Sequence, residues 1–203
     1  MDIDTPSGPA RAHLRAAEGD GPARGALLLG HGAGGSVEAP DLRRVTAVAR
    51  ELGLLVALIE QPYRVAGKRS TPRPPVLDAA WTAVVAALRE GPLHDLPLVA
   101  GGRSSGARVA CRTAAETGAA GVLCLAFPLV PPQRSHGPEP QTRLPELDAV
   151  KVPTLVVQGT NDRFGMPPAR RGRKVVEVRG DHALRSDLDA VGTAARAWLA
   201  QRF

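Results

Sequence analysis

Residues 98–110 read LVAGGRSSGARVA. An apolar run ends in Gly101 and Gly102, Arg103 and two serines follow, and Gly106 opens an alanine-containing stretch. Such an order describes a strand that turns sharply into a helix. Gly102 and Gly106 stand two residues to either side of Ser104, where a Cβ would collide as the backbone doubles back. Ser105 has Arg103 and Ala107 at the same offsets. Ser104 is therefore the candidate nucleophile of this G-x-S-x-G, and the bland alternative is a turn that merely opens a helix.

Outward from this turn the chain alternates. Residues 26–29, 54–59, 98–100, 122–127, 154–158 and 175–178 are short, apolar and often β-branched, as buried parallel strands require. Between them lie helical patterns. Leu42, Val45, Ala49 and Leu52 share one face closed by Gly53, and Leu77, Trp81, Val84 and Leu88 share another closed by Gly91 and Pro92. Residues 109–117 end likewise at Gly118, and Leu188, Val191, Ala195 and Trp198 form a last stripe with Ser186 as its expected N-cap. The pattern predicts an α/β fold: a doubly wound, mostly parallel sheet with helices on both faces. Residues 11–17 are expected to add an antiparallel edge strand. The proline- and arginine-rich pieces 61–75 and 128–148 are too short to hold a lid domain, so residues 1–203 read as one domain.

Composition narrows the function classes. The net charge of +6 invites a nucleic-acid partner, but 23 of the 26 basic residues are Arg, and aromatic residues make up only 3% of the chain. Little is available on which bases could stack. No run approaches the roughly 18 apolar residues of a membrane span, and the acidic start MDIDTPSGPA has no leader pattern, so a soluble cytoplasmic protein is expected. Cys111 and Cys124 have no second pair, which indicates neither a metal site nor a disulfide framework. No metal and no cofactor are expected.

Three further motifs fall just past strands. Residues 29–35 read LGHGAGG. Gly30, Gly32 and Gly35 match the G-x-G-x-x-G of dinucleotide sites, with Glu60 placed as a ribose-binding acid. In that fold the last glycine already lies in the helix, and Pro40 would then break the helix interior. Pro40 instead reads as the first residue of a helix that starts late. The glycines then form a loop whose free N–H groups can face a developing oxyanion: Ala33 beside Gly32 supplies one, Ser105 the other. His31 shapes this loop. Residues 153–165 bring Asp162 into a turn after a strand, and residues 178–184 do the same for His182. A turn Asp or a lone His is usually structural. Ser104, Asp162 and His182, however, occur in the order Ser, Asp, His at the same end of one sheet, which fits a nucleophile, an orienting acid and a base. Asp181 is a poorer orienting acid, since neighbouring side chains diverge. His13, His94 and His136 read as solvated.

With GHGAGG, GGRSSG, QGTNDRFG and GDH in this order, the sequence resembles the α/β-hydrolase superfamily from about residue 26 to the end. It is most similar to small, nearly lidless, dienelactone-hydrolase-like members, in a branch whose eukaryotic members include a testis-expressed protein and a nonspecific-lethal chromatin-complex subunit. The resemblance implies a compact fold without a lid domain and a triad at Ser104, Asp162 and His182. About 20 residues separate Asp162 from His182, which leaves little room for a helix between their strands.

The leading expectation is a serine hydrolase acting on a carboxylic ester or related activated acyl group. A noncatalytic hydrolase-fold interaction module is the alternative, since the eukaryotic relatives look like partners in assemblies. Arg103 beside the nucleophile, with Arg64, Lys68, Arg69 and Arg73 after a strand end, predicts a basic rim that draws in an anionic small-molecule substrate. The other basic cluster, residues 170–174, should lie at the opposite edge of the sheet as solvated surface.

Overall fold

The computed structural model describes residues 1–131 and 140–203; His136 lies outside the described residues. Among the described residues eight strands form one sheet: β1 (Asp2–Ile3), β2 (Ala10–Arg15), β3 (Gly25–Gly30), β4 (Leu54–Glu60), β5 (Leu98–Arg103), β6 (Gly121–Leu125), β7 (Thr154–Gly159) and β8 (Arg173–Val178). Their order is β1-β2-β4-β3-β5-β6-β7-β8, parallel from β4 through β8 and antiparallel at β1 and β2. The helices are α1 (Pro40–Glu51), α2 (Pro62–Val65), α3 (Pro74–Arg89), α4 (Ser105–Thr113), α5 (Leu144–Asp148) and α6 (Leu188–Leu199).

Every residue of β3, β6 and β7 is buried, so each strand must be covered on both faces. Alternation does the sorting. Leu27 and Leu29 point to the face packed by Val45 of α1 and Val191 of α6, whereas Ala26 and Leu28 point to the face packed by Trp81 of α3 and Val109 of α4. Between β7 and β8 the described chain forms no helix, in keeping with the short spacing of Asp162 and His182.

Three details differ from the sequence reading. The N-terminal strand is β2, which ends at Arg15 and lies one strand in from the edge, because the two-residue β1 pairs outside it. The N-cap of α6 is Asp187, whose side chain accepts from Ala190 N at 2.9 Å; Ser186 sits one residue too early. Helix α4 starts at Ser105 and ends at Thr113, earlier at both ends than the apolar stripe suggests. The late start of α1 at Pro40 matches the expectation and leaves residues 31–39 without a helix, which removes the helix that a dinucleotide fingerprint needs directly after its glycines.

Backbone contact explains the glycines of the turn. A Cβ on Gly102 would stand 2.5 Å from the Gly30 carbonyl oxygen, and one on Gly106 would strike the same carbonyl. The end of β3, the end of β5 and the first turn of α4 thus meet main chain to main chain, which brings the loop after β3 against Ser104. Among the described residues no helix is long and apolar enough to cross a membrane.

Candidate functional site

Ser104 caps α4 with φ 52° and ψ −105°, a conformation that non-glycine residues rarely adopt. Its N–H donates to Leu125 O at 2.9 Å, tying the turn to the end of β6. Its Oγ lies 2.9 Å from His182 Nε2, and His182 Nδ1 lies 2.8 Å from Asp162 Oδ2. An ionised carboxylate only accepts, so Nδ1 carries the proton, and Nε2 of the neutral ring is left to accept from the Ser104 hydroxyl. The sequence motifs after β5, β7 and β8 are brought together in one hydrogen-bonded line.

Two residues with no role in the sequence reading hold this line in place. Asp162, its side chain 1% exposed, accepts from Phe164 N on Oδ1 at 2.9 Å and from Gln158 Nε2 on Oδ2 at 2.8 Å. Gln158 is buried, and its amide nitrogen also faces the carbonyls of Phe127 and Gly165 at 3.0 and 2.9 Å. With three acceptors around that nitrogen, the amide is held in one orientation. The Phe164 ring packs on the His182 imidazole at 4.4 Å between centroids. Asp181 turns away and accepts from Ala183 N at 2.8 Å.

The loop after β3 is pinned from behind. His31 is buried, its Nε2 accepts from Gln61 N at 3.1 Å, and its Nδ1 therefore carries the proton that Gly32 O accepts at 2.8 Å. Burial holds the His31 pKa below its usual range, which favours this neutral ring. Gly35 N donates to the same carbonyl at 3.0 Å, and Tyr63 OH donates to Ala33 O at 2.7 Å. A trans peptide points its C=O and N–H in opposite directions, so anchoring Gly32 O turns the Ala33 N–H away from His31. Ser105 N, at the start of α4, has no acceptor within its own helix. Gly32 lies beside Ser104: a Cβ on Gly32 would be 3.7 Å from Ser104 Cβ. Ser105 also borders a separate small pocket with His31, Gln61 and Trp81.

Ser104, His182, Ala33 and Phe164 open on a cleft of ≈ 660 Å³. Its basic rim differs in membership from the one expected. Arg64 lines it, but Lys68 lines a different pocket and Arg69 and Arg73 line neither; Arg163 and Arg185 take their place. Arg103 also borders the cleft, but its Nε is ion-paired with buried Asp41 at 2.9 Å and its Nη2 donates to His182 O at 2.8 Å. Its charge is compensated inside the protein rather than offered to solvent. Residues 170–174 lie at the far edge, where β8 begins, but they are not all solvated surface: Arg173 is buried, and Arg170 and Arg173 pair with Asp148 at 3.1 and 2.9 Å.

A family model described as an alpha/beta hydrolase domain matches residues 23–185. The chain belongs to that family. Among solved structures, this alpha/beta hydrolase is similar to a serine hydrolase without a lid from Xanthomonas campestris, at 19% identity and a TM-score of 0.78, covering 100% of this chain and 94% of that one. It is similar to a dienelactone hydrolase from Anabaena variabilis at 21% identity and a TM-score of 0.76, covering 99% and 95%. It is also similar to Est1E from Butyrivibrio proteoclasticus, solved with ferulic acid bound, at 15% identity and a TM-score of 0.80, covering 99% and 98%. These likenesses establish a shared, mostly parallel hydrolase fold. No curated protein matches the chain.

Proposed function

We propose that this alpha/beta hydrolase, acting as one domain, is a serine hydrolase that cleaves a carboxylic ester or related activated acyl group. The observation that carries the reading is the Ser104–His182–Asp162 line at 2.9 and 2.8 Å. Ser104 Oγ attacks the carbonyl carbon while His182 Nε2 takes its proton, and Asp162 stabilises the imidazolium. The N–H groups of Ala33 and Ser105 receive the oxyanion. Collapse expels the alcohol, which takes the proton back from His182 and leaves an acyl group on Ser104. Water, deprotonated by His182, then attacks the acyl carbon and releases the acid and the free serine.

Labelling with a fluorophosphonate tests this directly. The expected adduct maps to the peptide containing Ser104, is lost in Ser104→Ala and survives in Ser105→Ala. An unlabelled protein would favour a noncatalytic, protein-binding use of the fold.

The rim supports an anionic substrate. Arg64, Arg163 and Arg185 line the cleft, and the one acidic lining residue, Glu38, lies 3.9 Å from both Arg15 and Arg43. Replacing Arg64, Arg163 and Arg185 with Glu is expected to lower kcat/KM for a carboxylate-bearing ester by about 10 to 1,000-fold at low salt, with a much smaller change for its neutral counterpart and a narrowing gap as salt rises. Equal effects on both esters would remove charge from the substrate description.

A further inference from the structure

The position between Gly102 and Ser104 carries a long cation with little exposure. Arg103 ends β5, and its side chain is 18% exposed. Three parts of its guanidinium face three segments. Nε meets Asp41 Oδ2 at 2.9 Å, in the first turn of α1. Nη2 donates to the carbonyl of His182 at 2.8 Å. Nη1 lies against the loop after β3, 3.0 Å from where a Cβ on Gly32 would stand.

We propose that Arg103 is a positioning residue, which with Asp41 sets the backbone of His182 and the glycine loop around Ser104. The inference rests on the hydrolase reading above. Asp41 has no exposed surface. Burial pushes its carboxyl pKa up, and the Arg103 charge opposes that rise. A buried carboxylate needs a partner, and here the partner is built into the nucleophile turn itself. The fork of Arg103 is planar and rigid, so its hold on Asp41 fixes the direction in which Nη2 points.

What Nη2 holds is the main chain of the base. The turn carrying His182 closes on itself through Leu184 N to Asp181 O at 3.1 Å and Ala183 N to Asp181 Oδ1 at 2.8 Å. Those bonds shape the turn without fixing its distance from Ser104. Gln158 and Phe164 order the imidazole from the Asp162 side. Arg103 supplies a charge-assisted tie from the residue next to the nucleophile to the backbone of the base. The side chain that follows Gly102 thus links the turn of Ser104 to the backbone of His182.

The test separates positioning from plain stability and from substrate binding. Parent protein, Arg103→Met, Arg103→Lys and the double variant Asp41→Asn/Arg103→Met are assayed on neutral nitrophenyl acetate, with melting temperatures in parallel. Arg103→Met strands the Asp41 carboxylate and should melt lower; the double variant removes that charge and should regain most of the melting temperature. In both, kcat should fall by about 10 to 100-fold, the scale of a displaced catalytic group, with KM changed less than about twofold. Arg103→Lys keeps the charge but not the fork, and should keep the melting temperature while recovering only part of kcat. A double variant that regains parent kcat along with its melting temperature would reduce Arg103 to a structural role and overturn the inference. So would a rise in KM at unchanged kcat, the mark of a substrate contact. In either case the parent remains an active esterase and the hydrolase reading stands. A parent that turns over no ester and takes no fluorophosphonate overturns both together.

Discussion

Ser104→Ala is expected to lower kcat for nitrophenyl acetate by roughly 10⁶-fold, the scale of losing a serine nucleophile, while Ser105→Ala retains most of its turnover. The contrast follows from what each serine offers. Ser104 presents its hydroxyl to His182 Nε2 at 2.9 Å. Ser105 offers the N–H at the start of α4, and the residue borders the small pocket with His31, Gln61 and Trp81. Removing the Ser105 hydroxyl leaves the N–H where it was. Both variants should keep the parent melting temperature to within a few degrees, so that activity reports chemistry and not folding. Equal losses in the two variants would contradict the assignment of the nucleophile.

Asp162→Asn is expected to cut kcat by about 10⁴-fold with the fold intact, the loss given by the same change in a well-studied serine protease triad. The surroundings of Asp162 say how it fails. Oδ1 faces a backbone donor, Phe164 N, while Oδ2 faces a side-chain donor, Gln158 Nε2, as well as His182. An asparagine cannot satisfy every one of these donors. Backbone cannot rotate, so the amide oxygen stays with Phe164 N and the NH₂ group turns to Gln158 and His182. His182 must then accept at Nδ1 and carry its proton on Nε2, facing the Ser104 hydroxyl with a donor where an acceptor is needed. Asp181→Asn is the control, since Asp181 bonds only within its own turn. If that change is the damaging one, the orienting acid is Asp181.

What the sequence made legible was local or periodic. The apolar runs located every strand from β3 to β8, because strands buried on both faces leave little choice of residue. Pro40 marked the start of α1 and so argued against a dinucleotide loop. Ser104, Asp162 and His182 could be grouped because each follows a strand at one edge of one sheet. What remained hidden depended on contacts distant in sequence. Asp41 looks like an ordinary first-turn acid until the fold brings Arg103 to it, and Gln158 looks like the last residue of a strand until Asp162 folds back over it. The two-residue β1 carries too few residues to show a period. The membership of the basic rim followed from where loops bend, which residues 61–75 did not disclose, and Arg163 and Arg185 joined it from turns already assigned to Asp162 and His182.

The backbone of Ser104 also bears on ancestry. With φ at 52° and ψ at −105° it lies outside even the small left-handed well that side chains tolerate, at a cost on the order of 1–3 kcal/mol. Glycine would relieve that cost at no steric expense. A lineage kept only for a sturdy scaffold, or for a face that docks a partner, is therefore expected to drift toward glycine here. On the hydrolase reading proposed above, serine holds this position for its hydroxyl and against its conformational cost. Position 104 is thus a marker that can be followed through descendants of this fold: chains that have abandoned hydrolysis are free to relax at this one residue while every strand around it stays in place.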